Sequence, residues 1–172
     1  MKRDMGLFYI QNFGCRATQA DGAALGSMLA RRGYRAAEGW SEAELVVINT
    51  CTVTAAADED VRQTVRRVHR ENPEAKILVT GCYAQLRPDE VASIEGVDLV
   101  LGAEEKFNIS KYIQTNKKEK AEIHSCEVNE LQKFNSSYSV GDRTRAFLKV
   151  QDGCDYTCSY CTIPMARGKS RS

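Results

Sequence analysis

The sequence lacks the features that direct a chain into a membrane or out of the cell. No apolar run approaches the roughly 20 residues of a membrane-spanning helix. Residues 1–15 contain neither an apolar h-region nor a cleavage site. Charge of one sign is also missing, because 24 basic and 23 acidic residues leave a formal net charge of +1. Any preference for nucleic acid must therefore be local.

A secreted disulfide framework is absent as well. The seven cysteines are an odd number and do not follow the spacing of a small disulfide-rich domain. We therefore expect a cytoplasmic protein without a membrane partner, whose reduced thiols serve metal or redox chemistry. The apolar fraction of 42% is sufficient for a core, and 172 residues are enough for one domain and part of another.

Apolar segments that are typical of strands alternate with helical patterns in most of the chain. We predict strands at 7–11, 44–49, 76–80, 97–101 and 121–125. We predict helices at about 18–32, at about 56–71, from Pro88 onward and at about 104–114. The alternation predicts an α/β fold with an open, mainly parallel sheet covered by helices.

Three cysteines follow the ends of three successive predicted strands: Cys15, Cys51 and Cys82. Ligands of parallel sheets bind beyond the carboxyl ends of the strands, and neighbouring strands lie about 5 Å apart. The pattern therefore predicts one shared thiolate site. The alternative for each cysteine taken alone is ordinary packing in the core.

A second set of thiols lies near the end of the chain, where Cys154, Cys158 and Cys161 have the spacing C-x3-C-x2-C. Thiolates favour zinc or iron–sulfur clusters over magnesium or calcium. A structural zinc site needs four ligands, and no fourth Cys or His lies nearby in the chain. We predict an iron–sulfur centre with one open iron. The alternatives are a zinc site completed from elsewhere and thiols that serve only as small apolar residues.

The region before this second set is polar and rich in turn residues, with the stretch FNSSYSVGD at its centre. We therefore predict an N-terminal α/β domain over 1–128, a linker over 129–144 and the start of a second domain over 145–172. A strand at 145–150 is expected to lead directly into the Cys154 loop.

Taken together, the motifs resemble the methylthiotransferase family of radical S-adenosylmethionine (SAM) enzymes. The resemblance rests on GC at Cys15, INTCTVT around Cys51, TGCYAQ around Cys82, and then KVQDGCDYTCSYC and IPMARGKSRS. INTCTVT, GCYAQ and the arginine-rich helix at 61–70 resemble the branch that adds a methylthio group to carbon 2 of N6-threonylcarbamoyladenosine at position 37 of tRNA. The alternatives are the branches that modify isopentenyladenosine of tRNA or an aspartate of a ribosomal protein.

The resemblance implies two 4Fe-4S clusters. A SAM-cleaving cluster would be held by Cys154, Cys158 and Cys161. An auxiliary cluster, whose open iron carries the sulfur to be inserted, would be held by Cys15, Cys51 and Cys82. Tyr160 would lie beside the adenine of SAM. The partners implied are the tRNA, an electron donor and a sulfur source.

The family continues into a (β/α) barrel, so the resemblance also implies that the second domain is truncated here and that 172 residues alone do not turn over. A rival interpretation is a non-catalytic iron–sulfur or RNA-binding module that ignores SAM. Arg62, Arg66 and Arg70 share one helical face, which is either a solvated, ion-paired surface or a contact for tRNA phosphates.

Overall fold

A single parallel sheet forms the centre of the molecule. The computed structural model describes residues 5–51, 55–114, 120–139 and 146–172. Its six parallel strands are β1 (Leu7–Asn12), β2 (Arg35–Ala36), β3 (Leu45–Thr50), β4 (Lys76–Gly81), β5 (Leu99–Leu101) and β6 (Glu122–His124). Their order across the sheet is β2-β1-β3-β4-β5-β6, and every neighbouring pair is parallel. The predicted open parallel α/β fold is confirmed.

Helices and turns connect these strands. They are α1 (Arg16–Arg31), α2 (Ala55–Glu71), α3 (Cys82–Leu86), α4 (Pro88–Ala92), a 3-10 turn at Glu105–Asn108, α5 (Ile109–Tyr112), a 3-10 turn at Val128–Glu130 and α6 (Ile163–Arg167). The helix predicted over 104–114 is thus a 3-10 turn followed by a short α-helix. In the described part of the chain, no helix combines the length and the apolar character needed to cross a membrane.

Strands β3 and β4 are the most deeply buried part of the sheet. All six residues of β3 are buried, which is what a continuous apolar run in a parallel sheet predicts. Val46 and Ile48 belong to the core cluster on the α2 side, whereas Leu45 and Val47 belong to the cluster on the α1 side. Because side chains alternate along a strand, one apolar run supplies both cores.

The C-terminal part packs on the outside of α1. Strand β7 (Ser137–Ser139) pairs antiparallel with β8 (Phe147–Lys149). Strand β8 lies where a strand was predicted. Strand β7 lies inside the stretch predicted as a linker, so that stretch is not wholly irregular. Residues 140–145 of the two predicted segments lie outside the described part, and the domain boundaries themselves stay a prediction.

Truncation of a buried leucine should lower the free energy of unfolding far more than truncation of an exposed leucine. Leu78 on β4 is fully buried, whereas Leu148 on β8 is 66% exposed. We expect Leu78→Ala to lower the free energy of unfolding by about 2–5 kcal/mol. The matched Leu148→Ala should change it by less than about 0.5 kcal/mol. Urea unfolding followed by circular dichroism measures both, and equal losses would contradict this description of the core.

Candidate metal centre

The carboxyl ends of β1, β3 and β4 bring three cysteines to one edge of the sheet. Cys15 directly precedes α1, Cys51 follows β3, and Cys82 begins α3 immediately after β4. In the sheet, the last residue of β1 pairs with Asn49, and the next residue, Thr50, pairs with Gly81. The strand ends are therefore level, and the three cysteines line one cavity of about 220 Å³. Cys51 and Cys82 are buried, whereas Cys15 is exposed.

Two glycines make this close approach possible. Gly14 and Gly81 have φ angles of +103° and +100°, a region that favours glycine. A Cβ atom on Gly14 would overlap the Cys51 side chain, and one on Gly81 would overlap the carbonyl oxygen of Thr50. Any larger residue at either position would push a cysteine-bearing strand end away from its neighbour.

Hydrogen bonds from the residues before Cys51 tie the strand ends together. The Asn49 amide donates to Asn12 Oδ1 at 2.9 Å and to the Thr18 carbonyl at 2.8 Å. The Thr50 hydroxyl donates to the Thr80 carbonyl at 2.6 Å. Buried groups with partners on β1, α1 and β4 hold the Cys51 loop in place, as outer-shell groups do around metal sites.

The three thiols interact directly. The Cys51 thiol is close to those of both Cys15 and Cys82. This contact lowers the pKa of Cys15 to about 4 and, with help from Arg167, lowers the pKa of Cys82 to about 6. The pKa of Cys51 is raised because its proton is shared with these neighbours. Thiolates are the form that binds metals, so the lowered pKa values of Cys15 and Cys82 favour metal binding at this site.

The donor set suits a soft, thiolate-bound group. Apart from the cysteines, the cavity is lined largely by small or apolar residues, among them Ala17, Ile163 and Ala166. Within the described ranges, no three His, Cys, Asp or Glu side chains are arranged to hold a single metal ion. The cavity, however, has about seven times the roughly 30 Å³ that one water occupies in the liquid. An inorganic group larger than one ion has room beside the thiols.

The second set of cysteines is less tightly gathered. Cys158 and Cys161 line an open pocket together with Tyr160, which is fully exposed. Cys154 does not line this pocket, and its amide instead donates to the Gly168 carbonyl at 3.1 Å. The structure thus brings the first three cysteines together but places only two of the second three around a common pocket.

Sequence reasoning missed Asp21, which is fully buried on α1 and pairs with Arg167 of the cavity lining. Lys106 and Lys149 each approach one of its carboxylate oxygens at 2.6 Å, and Arg167 lies at 3.7 Å. The Ser137 hydroxyl also donates to it at 2.9 Å. Burial alone would raise the pKa of Asp21, but the three cations together lower it well below its ordinary range. The sequence contains a signal for this residue, because Asp21 is a charged residue on the apolar stripe of α1 that continues with Leu25 and Leu29.

The basic face of α2 is partly neutralised. Arg62 donates to the Tyr83 hydroxyl at 3.0 Å and forms an ion pair with Glu90. Arg67 pairs with Glu71 at 2.8 Å. These contacts agree with the ion-paired interpretation of this face, although its outermost arginines are exposed.

Residues 7–102 match a protein family described as "Uncharacterized protein family UPF0004". The chain belongs to this family. Over 98% of its length it is 37% identical to the threonylcarbamoyladenosine tRNA methylthiotransferase MtaB of Bacillus subtilis (strain 168). Over 94% it is 38% identical to the protein of the same name from Aquifex aeolicus (strain VF5). Over 96% it is 30% identical to the ribosomal protein uS12 methylthiotransferase RimO of Roseiflexus sp. (strain RS-1).

These relatives confirm the resemblance to methylthiotransferases that the motifs indicated. The chain spans 38% of the Bacillus protein, 40% of the Aquifex protein and 40% of the Roseiflexus protein. The similarity therefore concerns about two fifths of each relative.

Replacement of Gly14 should test whether close approach at the strand ends matters. Gly14→Ala forces an alanine into a positive-φ conformation, which costs about 1–2 kcal/mol, and also displaces Cys51. Gly39→Ala is the matched control, because its added Cβ would meet only Ser41 Oγ at 3.9 Å. We expect a loss of at least about 1 kcal/mol in urea unfolding for Gly14→Ala alone. Equal stabilities of the two variants would contradict this geometry.

The buried carboxylate predicts a specific dependence of stability on pH. The folded-state pKa of Asp21 lies below its ordinary value of 3.8, so its contribution is complete above that value and is lost as pH falls further. At pH 7, Asp21→Asn should lower the free energy of unfolding by about 3–5 kcal/mol, because it leaves buried cations uncompensated.

Urea titrations between pH 7 and pH 2 measure the difference between parent and variant. That difference should shrink once the pH is below about 4. Asp60→Asn, which changes an exposed aspartate of α2, should show almost no difference at any pH. A difference for Asp21→Asn that stays constant down to pH 2 would contradict the assignment of a charged, paired Asp21.

Proposed function

We propose that this chain is the cluster-binding part of a radical SAM methylthiotransferase that modifies carbon 2 of N6-threonylcarbamoyladenosine at position 37 of tRNA. The observation that carries the proposal is the cavity shared by Cys15, Cys51 and Cys82 at the carboxyl edge of the sheet. Identities of 37–38% to two proteins named for this reaction support the choice of substrate.

Each set of three cysteines would hold one 4Fe-4S cluster and leave one iron without a protein ligand. Such clusters would supply an electron for the cleavage of SAM and a place for the sulfur that is transferred. Radical chemistry is required because an adenine C–H group is too weakly acidic for a side-chain base near pH 7. The cofactors carry this difficult step, and the protein contributes binding, orientation and electrostatics.

The residues around the two sites have separable tasks. Cys15 and Cys82 have lowered pKa values beside Cys51, which favours the thiolate form that binds metal. Ala17 and other apolar neighbours supply the apolar part of the cavity lining. Tyr160 stands exposed between Cys158 and Cys161, and its ring offers a surface on which the adenine of SAM can stack.

The remaining partners follow from the same proposal. The tRNA would meet exposed arginines such as Arg66 and Arg70 on α2 through its phosphates. An electron donor and a sulfur source would complete the reaction. A ribosomal protein is a second candidate substrate, because the chain is also 30% identical to a RimO protein.

Anaerobic reconstitution with iron and sulfide tests the proposal. The parent chain should bind about eight irons, and the triple variants Cys15/Cys51/Cys82→Ala and Cys154/Cys158/Cys161→Ala should bind about four each. Cys126→Ala is the matched control and should behave like the parent. Burial and nearby glutamates raise the pKa of Cys126 to about 11, which leaves it a neutral thiol.

The response of the clusters to SAM then distinguishes an enzyme from a non-catalytic binding module. Addition of SAM should change the electron paramagnetic resonance spectrum of the cluster on the second set of cysteines and leave that of the first unchanged. Zinc or no metal in the parent chain would contradict the proposal. Two clusters that do not respond to SAM would favour a non-catalytic iron–sulfur module.

A further inference from the structure

We propose that Arg167 is a positioning residue for the first set of cysteines. Held by Asp21 and Asp152, its guanidinium places a positive charge beside Cys82 and thereby sets how readily a cluster on these cysteines accepts an electron. The inference rests on the proposed function, because it takes Cys15, Cys51 and Cys82 to be a cluster site.

Arg167 reaches this site from the far end of the chain. It is the last residue of α6, shortly after Cys161, and only 8% of its surface is exposed. Its side chain lines the cavity with the three cysteines, and its positive charge is one cause of the lowered pKa of Cys82. Among the described residues that line the cavity, it is the one cationic side chain.

Two carboxylates determine the orientation of the guanidinium. Asp152 Oδ1 accepts a hydrogen bond from Nη1 at 2.7 Å, and Asp21 Oδ2 lies 3.7 Å from Nη2. A guanidinium is always charged, and its planar fork can contact several acceptors at once. The carboxylates hold the guanidinium at the wall of the cavity that Cys82 also lines.

The surrounding buried cluster has an excess of positive charge. Its carboxylates are Asp21 and Asp152, and the cations that pair with them in the described part of the chain are Lys106, Lys149, Arg167 and Arg171. Of these cations, Arg167 lies at the cavity that the first set of cysteines lines. A thiolate-bound cluster gains negative charge when it is reduced, so adjacent cations and hydrogen bonds to sulfur favour the reduced form.

Arg167 also links the segment that carries the second set of cysteines to the cavity of the first set. The backbones of Asp152 and Arg171 exchange two hydrogen bonds of 2.8 Å, which close the base of the loop that carries Cys154, Cys158 and Cys161. Arg167 lies inside this closed segment and lines the cavity of Cys15, Cys51 and Cys82 outside it. Arg167 therefore places a positive charge beside the first set of cysteines. It also fixes the position of the segment that carries the second set.

A redox titration of the first site alone tests the inference. The full chain carrying Cys154/Cys158/Cys161→Ala is reconstituted anaerobically, so that only the first set can hold iron, and its reduction is followed by electron paramagnetic resonance. We expect Arg167→Gln to lower the equilibrium constant for one-electron reduction of the cluster about tenfold. This corresponds to a reduction potential about 59 mV more negative. Arg167→Lys keeps the charge but loses the fork, and should shift the potential in the same direction by less.

The matched control is Lys149→Gln. It removes a cation from the same two carboxylates, yet Lys149 does not line the cavity. Its shift should be clearly smaller than that of Arg167→Gln. An unchanged potential in Arg167→Gln, or an equal shift in Lys149→Gln, would overturn the inference while the cluster assignment stands.

Two further outcomes are decisive. If Arg167→Gln takes up no iron, Arg167→Lys decides: restored iron and a potential more negative than that of the parent support the proposal, and continued loss of iron overturns it. If the chain with Arg167 intact takes up no iron, the proposed function fails, and the inference about Arg167 fails with it.

Discussion

The ion pairs of the buried Asp21 carboxylate are the interaction on which the arrangement of the two cysteine regions depends. Lys106, Lys149 and Arg167 come from a 3-10 turn, from β8 and from α6, and all three converge on one residue of α1. A buried charge is costly unless it is fully paired, and removal of one partner costs more than the pair contributes. The C-terminal segment is therefore held against α1 beside the cysteine cavity.

The sheet supplies the other half of the site. Parallel strands all end at one edge, and a cysteine placed just after each of three neighbouring strands must reach the same region. Gly14 and Gly81 let these ends approach more closely than a side chain would allow. The result is a small cavity with three sulfurs on one side and α6 on the other. The site is thus built from both ends of the chain.

Local patterns in the sequence predict the parallel core and the cysteines at its edge. They do not predict the shortest strands or the partners of Asp21. The continuous apolar runs of β3 and β4 and the cysteines after them predict the parallel core and its thiolate edge. Strand β2 has only two residues, and strand β7 has the sequence SYS, which contains no apolar run. The partners of Asp21 lie 85 residues away at Lys106 and 128 residues away at Lys149. No local pattern reveals such pairs, although a charge on the apolar stripe of α1 shows that some partner is needed.

The most direct test of this account is a ⁵⁷Fe Mössbauer spectrum of the chain carrying Cys154/Cys158/Cys161→Ala after anaerobic reconstitution. Three thiols line the cavity, and the carboxylate of Asp152, which also lines it, is paired with Arg167. The account therefore predicts one 4Fe-4S cluster in which one iron differs from the other three. A mononuclear or two-iron spectrum, or the absence of bound iron, would contradict it.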